Sequence, residues 1–220
     1  MIPELTFLET RVLGVLAEKE RTVPDTYPLT LNALVSGCNQ KTSRDPVISA
    51  TETEVQAALD ALRAKSLVIE SSGGRVARYS HNIERVLQIP KQSSALLVAL
   101  MLRGPQTGGE LRINCERLHA FTDIELVELF LRELADRPAG ALVTELPRQP
   151  GSRENRWMHL LCGAPVAQNA AAPAAAVAVE SGAPAAEMAE LHARIARLEA
   201  EVSELKRRLD PISAEPGNRG

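Results

Sequence analysis

Apolar residues recur at two different periods along this chain, and the alternation between them lays out its elements. Leu5, Leu8, Val12, Leu13 and Leu16 lie at helical spacing, with Glu9, Arg11, Glu18 and Lys19 elsewhere on the wheel. That pattern predicts an amphipathic first helix over Leu5 to Glu20. Pro24 makes Arg21 to Tyr27 a loop. Pro28 is tolerated in a first helical turn, and Leu29, Leu31, Leu34 and Val35 predict a short second helix ending near Cys38. Asp45-Pro46 stops the helix from continuing through the polar segment that follows. Thr51 or Thr53 can cap a third helix, striped by Val55, Ala58, Leu59 and Leu62 and running to Lys65. Leu67 to Glu70, Ser71-Ser72-Gly73-Gly74 and Arg75 to Tyr79 then read as a strand, a glycine turn and a returning strand. Three helices followed by a hairpin make a winged helix.

The same order recurs after a connector from Asn82 to Lys91. Ser93 or Ser94 starts a helix carrying Leu96, Leu97, Leu100 and Met101, Gly104-Pro105 ends it, and Thr107 to His119 supplies a second. Thr122-Asp123 caps a third, in which Val127, Leu131 and Leu134 repeat Val55, Leu59 and Leu62 at a constant offset of 72 positions. Leu142 to Leu146 and Trp157 to Leu161 flank a turn and predict a second hairpin. The fold class expected is mainly α with small β-hairpins: tandem winged helix-turn-helix domains over residues 1–81 and 82–163, plus a C-terminal coiled-coil helix.

Residues 164–186 turn to Ala and Pro with no periodic face, the composition of a flexible linker. Residues 187–210 follow with the clearest period in the chain. Met188, Ile195, Val202 and Leu209 fall at heptad position a, and Leu191, Leu198 and Leu205 at position d. Beta-branched residues at a with Leu at d favour a parallel homodimer, and Arg194 with Glu199 and Glu201 with Lys206 are placed to pair across it. The alternative is a single solvated helix. Pro211 ends it, leaving residues 211–220 as a disordered tail.

Several separated motifs carry a family resemblance. Tyr27-Pro28-Leu29, Asn32-Ala33-Leu34, the polar segment Cys38-Asn39-Gln40-Lys41-Thr42-Ser43-Arg44-Asp45-Pro46-Val47 and Thr51-Glu52-Thr53-Glu54-Val55-Gln56 come first. Leu102-Arg103-Gly104-Pro105-Gln106-Thr107, Gly109-Glu110-Leu111-Arg112 and Pro150-Gly151-Ser152-Arg153-Glu154-Asn155-Arg156-Trp157-Met158-His159 follow. In this order they resemble the YceH family of bacterial proteins over residues 1–163. The resemblance implies a tandem winged-helix fold and brings no established activity.

Charge narrows the partners. The net charge is −3, and residues 1–81 carry 9 Lys+Arg against 10 Asp+Glu while residues 82–163 carry 10 against 10. Neither half has the basic surplus on which strong non-specific nucleic-acid binding leans. The outward positions of the third helices add to this: Thr53, Gln56, Ala57, Asp60, Arg63 and Ala64 in the first copy, and Glu125, Glu128, Arg132 and Asp136 in the second. Neither offers the Arg, Lys or Asn cluster that reads bases in the major groove. Basic groups sit elsewhere: Lys41 and Arg44 in the polar loop, Arg75 and Arg78 in the first hairpin, Arg148, Arg153 and Arg156 in the second. Together with Asn39, Gln40 and Thr42 they are the candidate nucleic-acid or partner-binding residues, with Ser43 as a further donor. The structural alternative has Asn39 capping the preceding helix, Ser43 and Asp45 satisfying turn amides and Arg44 paired with a carboxylate of the other domain.

Catalytic patterns are weak. His81, His119, His159 and His192 are scattered, and Cys115 with His119, or His159 with Cys162, gives one pair at metal-like spacing without a second to complete it. No metal, cofactor or catalytic residue is expected. The three cysteines, Cys38, Cys115 and Cys162, read as buried thiols. No apolar run approaches the ~20 residues of a membrane span, and Met1-Ile2-Pro3-Glu4 is unlike a signal peptide; a cytoplasmic, non-membrane protein is expected. Two functions remain: a DNA-binding, transcription-regulator-like homodimer, favoured by the fold and slightly preferred on balance, and, as the alternative, a protein-interaction scaffold using the winged helices as adaptor surfaces without binding DNA, favoured by charge.

Overall fold

The computed structural model describes residues 4–71, 76–148, 151–152 and 154–163. The expected linker, the heptad residues Met188, Leu191, Ile195, Leu198, Val202, Leu205 and Leu209, and the tail lie outside the described residues. Within them the chain is mainly helical with two small antiparallel hairpins. The elements in order are α1 (Phe7–Thr22), α2 (Leu31–Cys38), α3 (Glu52–Ala64), β1 (Val68–Ser71), β2 (Arg78–His81), α4 (Ile83–Leu87), α5 (Lys91–Arg103), α6 (Gly108–Asn114), α7 (Ile124–Ala135), β3 (Val143–Glu145) and β4 (Trp157–His159). No helix among the described residues is long and apolar enough to cross a membrane.

Local chemistry sets the helix starts. Thr6, Thr51 and Thr107 each accept from the amide three residues on, while Glu9, Glu54 and Glu110 reach back to the amides of Thr6, Thr51 and Thr107. These reciprocal pairs satisfy donors that a helix start leaves open. Thr30 and Asp123 cap α2 and α7 with one bond each.

The first helix departs from its expected amphipathic form. Residues Glu9 to Ala17 are all buried, including Glu9 and Arg11, because α2, α3 and β2 pack on one side of α1 and α5 on another. Helix α5 is likewise buried from Ser93 to Leu102, so the serines expected to start it lie inside it and Pro90 precedes its first turn. Gly14 permits the approach of the two helices, since a Cβ there would stand 2.9 Å from Leu102 Cδ2. The core runs through both halves of the described chain, from Leu5 to Leu161, and Leu5 N–H donates to Leu161 O at 2.7 Å.

The second helix starts at Leu31, later than Pro28, because Leu29 is spent on a sheet contact. Leu29 and Tyr79 exchange backbone hydrogen bonds at 3.1 and 2.8 Å, and Gln106 and Trp157 do the same at 3.1 and 2.7 Å. Each hairpin, Val68 facing His81 and Val143 facing His159, thus gains a bridging residue just before a short helix. The connector 82–91 contains α4, and Ile83, Leu87 and Ile89 enter the core. Helix α6 ends at Asn114, short of the expected His119, where turns take over.

Gly37 marks the tightest seat of α2 on α1, since a Cβ would stand 2.6 Å from Val15 Cγ1. Gly37→Ala is expected to destabilise by about 1–3 kcal/mol through overpacking, although Ala is the better helix former. The double variant with Val15→Ala should recover part of that loss in urea unfolding; simple additivity would contradict the contact.

Candidate functional site

The polar segment between α2 and α3 is held from beneath by two buried guanidinium groups. Arg11, with no exposed surface, donates Nη2 to Pro46 O at 2.8 Å and Nη1 to Cys38 O at 3.4 Å, and its guanidinium lies 5.2 Å from the Phe7 ring centroid. Arg44 donates Nη2 and Nη1 to the two Glu18 oxygens at 2.6 and 3.1 Å, Nε to Gly37 O and Nη1 to Ser43 O. Desolvation and the neighbouring Arg44 charge lower the Arg11 pKa. Burial pushes Glu18 up, and the hydrogen bonds and charge of Arg44 outweigh it, holding the carboxyl below its ordinary value.

The candidate binding residues therefore divide. Arg44 faces inward with its donors engaged by backbone carbonyls and by Glu18 of α1, in its own half and not the other half as expected because α1 runs directly beneath the loop, so it shapes the loop and offers no cation to a phosphate. Asn39 is half-buried and clasps the next element, donating to Ala50 O at 2.8 Å and accepting from Ala50 N at 2.7 Å. Gln40 accepts from Lys19 and donates to Thr42. Lys41 and Thr42 are exposed at the tip. Arg78 donates to the Thr26 and Pro28 carbonyls, Arg148 to Ser152 O, and Arg156 approaches Glu110 at 3.5 Å. Arg75 and Arg153 lie outside the described residues.

A cleft of about 300 Å³ opens where the loop meets the second half of the chain. Asp45 N–H donates to Leu102 O at 2.9 Å and Arg103 Nη2 to Ser43 Oγ at 2.7 Å, drawing the two together. Ser43, Asp45, Arg103, Glu110, Asn114 and Arg156 line it. Four of the segments that carry the family resemblance, 38–47, 102–107, 109–112 and 150–159, contribute to its lining. Sequence reading missed Arg103 as a partner of the loop, and Glu110 and Asn114 as lining of the shared cleft, because only the α1 and α5 packing brings the two halves together there.

The third helices present the other notable surface. On α7, Leu129 is 52% exposed, with Glu125 and Glu133 one turn to either side and Arg132 and Asp136 on the same arc. The sequence reading named Glu125, Glu128, Arg132 and Asp136 here and missed Leu129. Its spacing was the available signal: two positions from both Val127 and Leu131, it falls on the opposite side of the helix from that stripe. The only ion pair Arg132 makes among the described residues is with Glu128. On α3 the matching position is Ala57, and Arg63 is spent on Asp60 and Glu70.

The titratable groups are set by burial. Desolvation pushes the Cys38 and Cys115 thiols up to about 12, away from the thiolate that a nucleophile needs. Cys162 is exposed, contrary to the expectation of a third buried thiol, and sits 3.6 Å from Thr10 Oγ1. Desolvation lowers the His159 imidazole to about 4, and its Nδ1 has no partner among the described residues.

Glu18→Gln strips the counter-charge from a buried Arg44 and is expected to cost about 3–5 kcal/mol in chemical denaturation, with Glu18→Leu plus Arg44→Leu restoring much of it. A loss below ~1 kcal/mol, the value of an exposed pair, would contradict the clamp. For His159, the unfolded chain protonates near 6.5 and the folded chain near 4. The unfolded state binds the extra proton between those values, so stability falls as pH drops through that window. His159→Phe should flatten this part of the stability curve, and an unaltered slope would assign it to other groups.

Comparison with known proteins agrees with the motifs. A family model described as "Protein of unknown function, DUF480" matches residues 5–152. A UPF0502 protein of Dechloromonas aromatica (strain RCB) is 60% identical over 204 residues, covering 93% of each chain. One of Acidovorax sp. (strain JS42) is 57% identical over 207 residues, covering 91% of this chain and 92% of its own. One of Burkholderia vietnamiensis is 65% identical over 160 residues, covering 73% of this chain and 67% of its own. The chain belongs to the DUF480, or UPF0502, family of uncharacterised bacterial proteins, an assignment compatible with its YceH-like motifs.

Proposed function

We propose that the chain is a non-enzymatic tandem winged-helix protein whose third helices recognise another protein. The repeated order of helix, short helix, helix and hairpin, each hairpin bridged to the residue before the short helix, supports the winged-helix reading. In DNA-binding members of that architecture helix three enters the major groove. The observation that carries the protein reading is the outward arc of α7, where an exposed Leu129 is ringed by Glu125, Glu133 and Asp136. An apolar centre with a charged rim suits a protein partner, whereas those carboxylates would oppose phosphates. On α3 the one cation of the arc, Arg63, is already paired to two acids.

Binding of duplex DNA is the second reading. It keeps the exposed Lys41 and Thr42 at the loop tip, Arg148 on the second hairpin and, from sequence alone, Arg75 and Arg153. The heptads from Met188 to Leu209 would join two copies in parallel, so that weak contacts of either kind gain from effective concentration.

A photo-crosslinking residue at Glu133 of the full-length protein in cells is expected to give a discrete, nuclease-resistant adduct that Leu129→Asp abolishes. Absence of any adduct, removal of the adduct by nuclease, or an adduct indifferent to Leu129→Asp would contradict the protein reading.

A further inference from the structure

We propose that the cleft between the polar loop and the second half of the chain binds a small polar zwitterion of the amino-acid class, its carboxylate on Arg103 and its ammonium on Asp45. The inference stands apart from the reading of the third helices. It begins with unspent charge. Arg103 uses Nη2 on Ser43 Oγ, and neither it nor Asp45 has an ion-pair partner among the described residues. Both line the same cleft. Opposite charges that share a recess without pairing leave room for a molecule carrying the complementary two.

The surroundings fix the class further. Glu110 and Arg156 of the lining face each other at 3.5 Å, and Arg44, its third guanidinium, is paired with Glu18, so the charges of the recess are close to balanced. A phosphate would meet two carboxylates there, and a simple amine three guanidinium groups; a zwitterion avoids both penalties. Pro105 is the one non-polar side chain in the lining, while Asn114 donates to Gln106 at 2.6 Å within it. That polarity, with a volume of about 300 Å³, suits a small ligand polar throughout. The guanidinium fork of Arg103 matches a carboxylate in geometry as well as charge.

Occupancy would act on the seam. Asp45 belongs to the loop clamped on α1, and Arg103 to the last turn of α5, joined by the Asp45 N–H to Leu102 O bond. A ligand spanning the two side chains ties those elements together and stabilises the folded chain by mass action.

The test is a thermal-shift and NMR titration of the full-length protein with the proteinogenic L-amino acids at millimolar concentration. Acetate, inorganic phosphate and methylamine serve as single-charge probes. The expected result is that one or more small polar amino acids raise Tm and shift amides near Asp45 and Arg103, with each single-charge probe at least about tenfold weaker. Arg103→Gln and Asp45→Asn should each abolish the effect, while Arg103→Lys, which keeps the charge and loses the fork, weakens it. The ligand-free Tm of each variant reads folding separately from binding. No response to any amino acid, equal response to acetate or phosphate, or a response that survives Asp45→Asn in a folded protein would overturn the proposal.

Discussion

Two arginine side chains buried beneath a surface loop are the constraint on which the rest of the structure depends. A guanidinium group removed from water must recover its lost hydration through hydrogen bonds or a counter-charge. Arg44 recovers it from Glu18, and Arg11 from the carbonyls of Cys38 and Pro46, so both ends of the polar segment are tied to α1. A slip of the loop would strand one or both charges. The same bonds leave Ser43 and Asp45 against the last turn of α5, where the two halves of the chain meet. Loop conformation, helix packing and the cleft are therefore one coupled arrangement.

That coupling explains what was legible in the sequence. The stripes Val55, Leu59, Leu62 and Val127, Leu131, Leu134 identified α3 and α7 because each of those helices buries one face. Helix α1 misled because it is buried on several sides; Glu9 and Arg11 read as a solvent face, whereas Lys65 at the end of α3 pairs with Glu9 and the polar loop covers Arg11. No local pattern encodes a second packing partner. Arg44 was open to two readings for a related reason, since Glu18 lies 26 positions away and only the turn of the chain brings it near. Leu129 failed in the opposite sense: an apolar residue in a helix is ordinarily assigned to the core, although its place two positions from both Val127 and Leu131 already set it on the outward side. The boundaries moved where a residue had a competing use, as Leu29 did in bridging to Tyr79.

The functional picture follows from where charge is left unspent. Four of the seven basic residues considered as phosphate contacts are bonded within the fold: Arg44 to Glu18, Arg78 to two carbonyls, Arg148 to Ser152 O and Arg156 to Glu110. What remains on the third helices is neutral or acidic around an exposed leucine, and what remains in the cleft is one cation and one anion that do not meet. The proposed protein-facing surface and the proposed recess at the seam would account for these two remainders without asking near-neutral halves to hold a polyanion.

The central claim, that this architecture serves protein recognition, is tested most directly by fluorescence anisotropy of the full-length protein against mixed duplex DNA at low and at physiological salt. The account predicts no binding up to micromolar protein at either salt concentration. Micromolar or tighter binding that falls steeply as salt rises would mean that the protein neutralises several phosphates, and would contradict it.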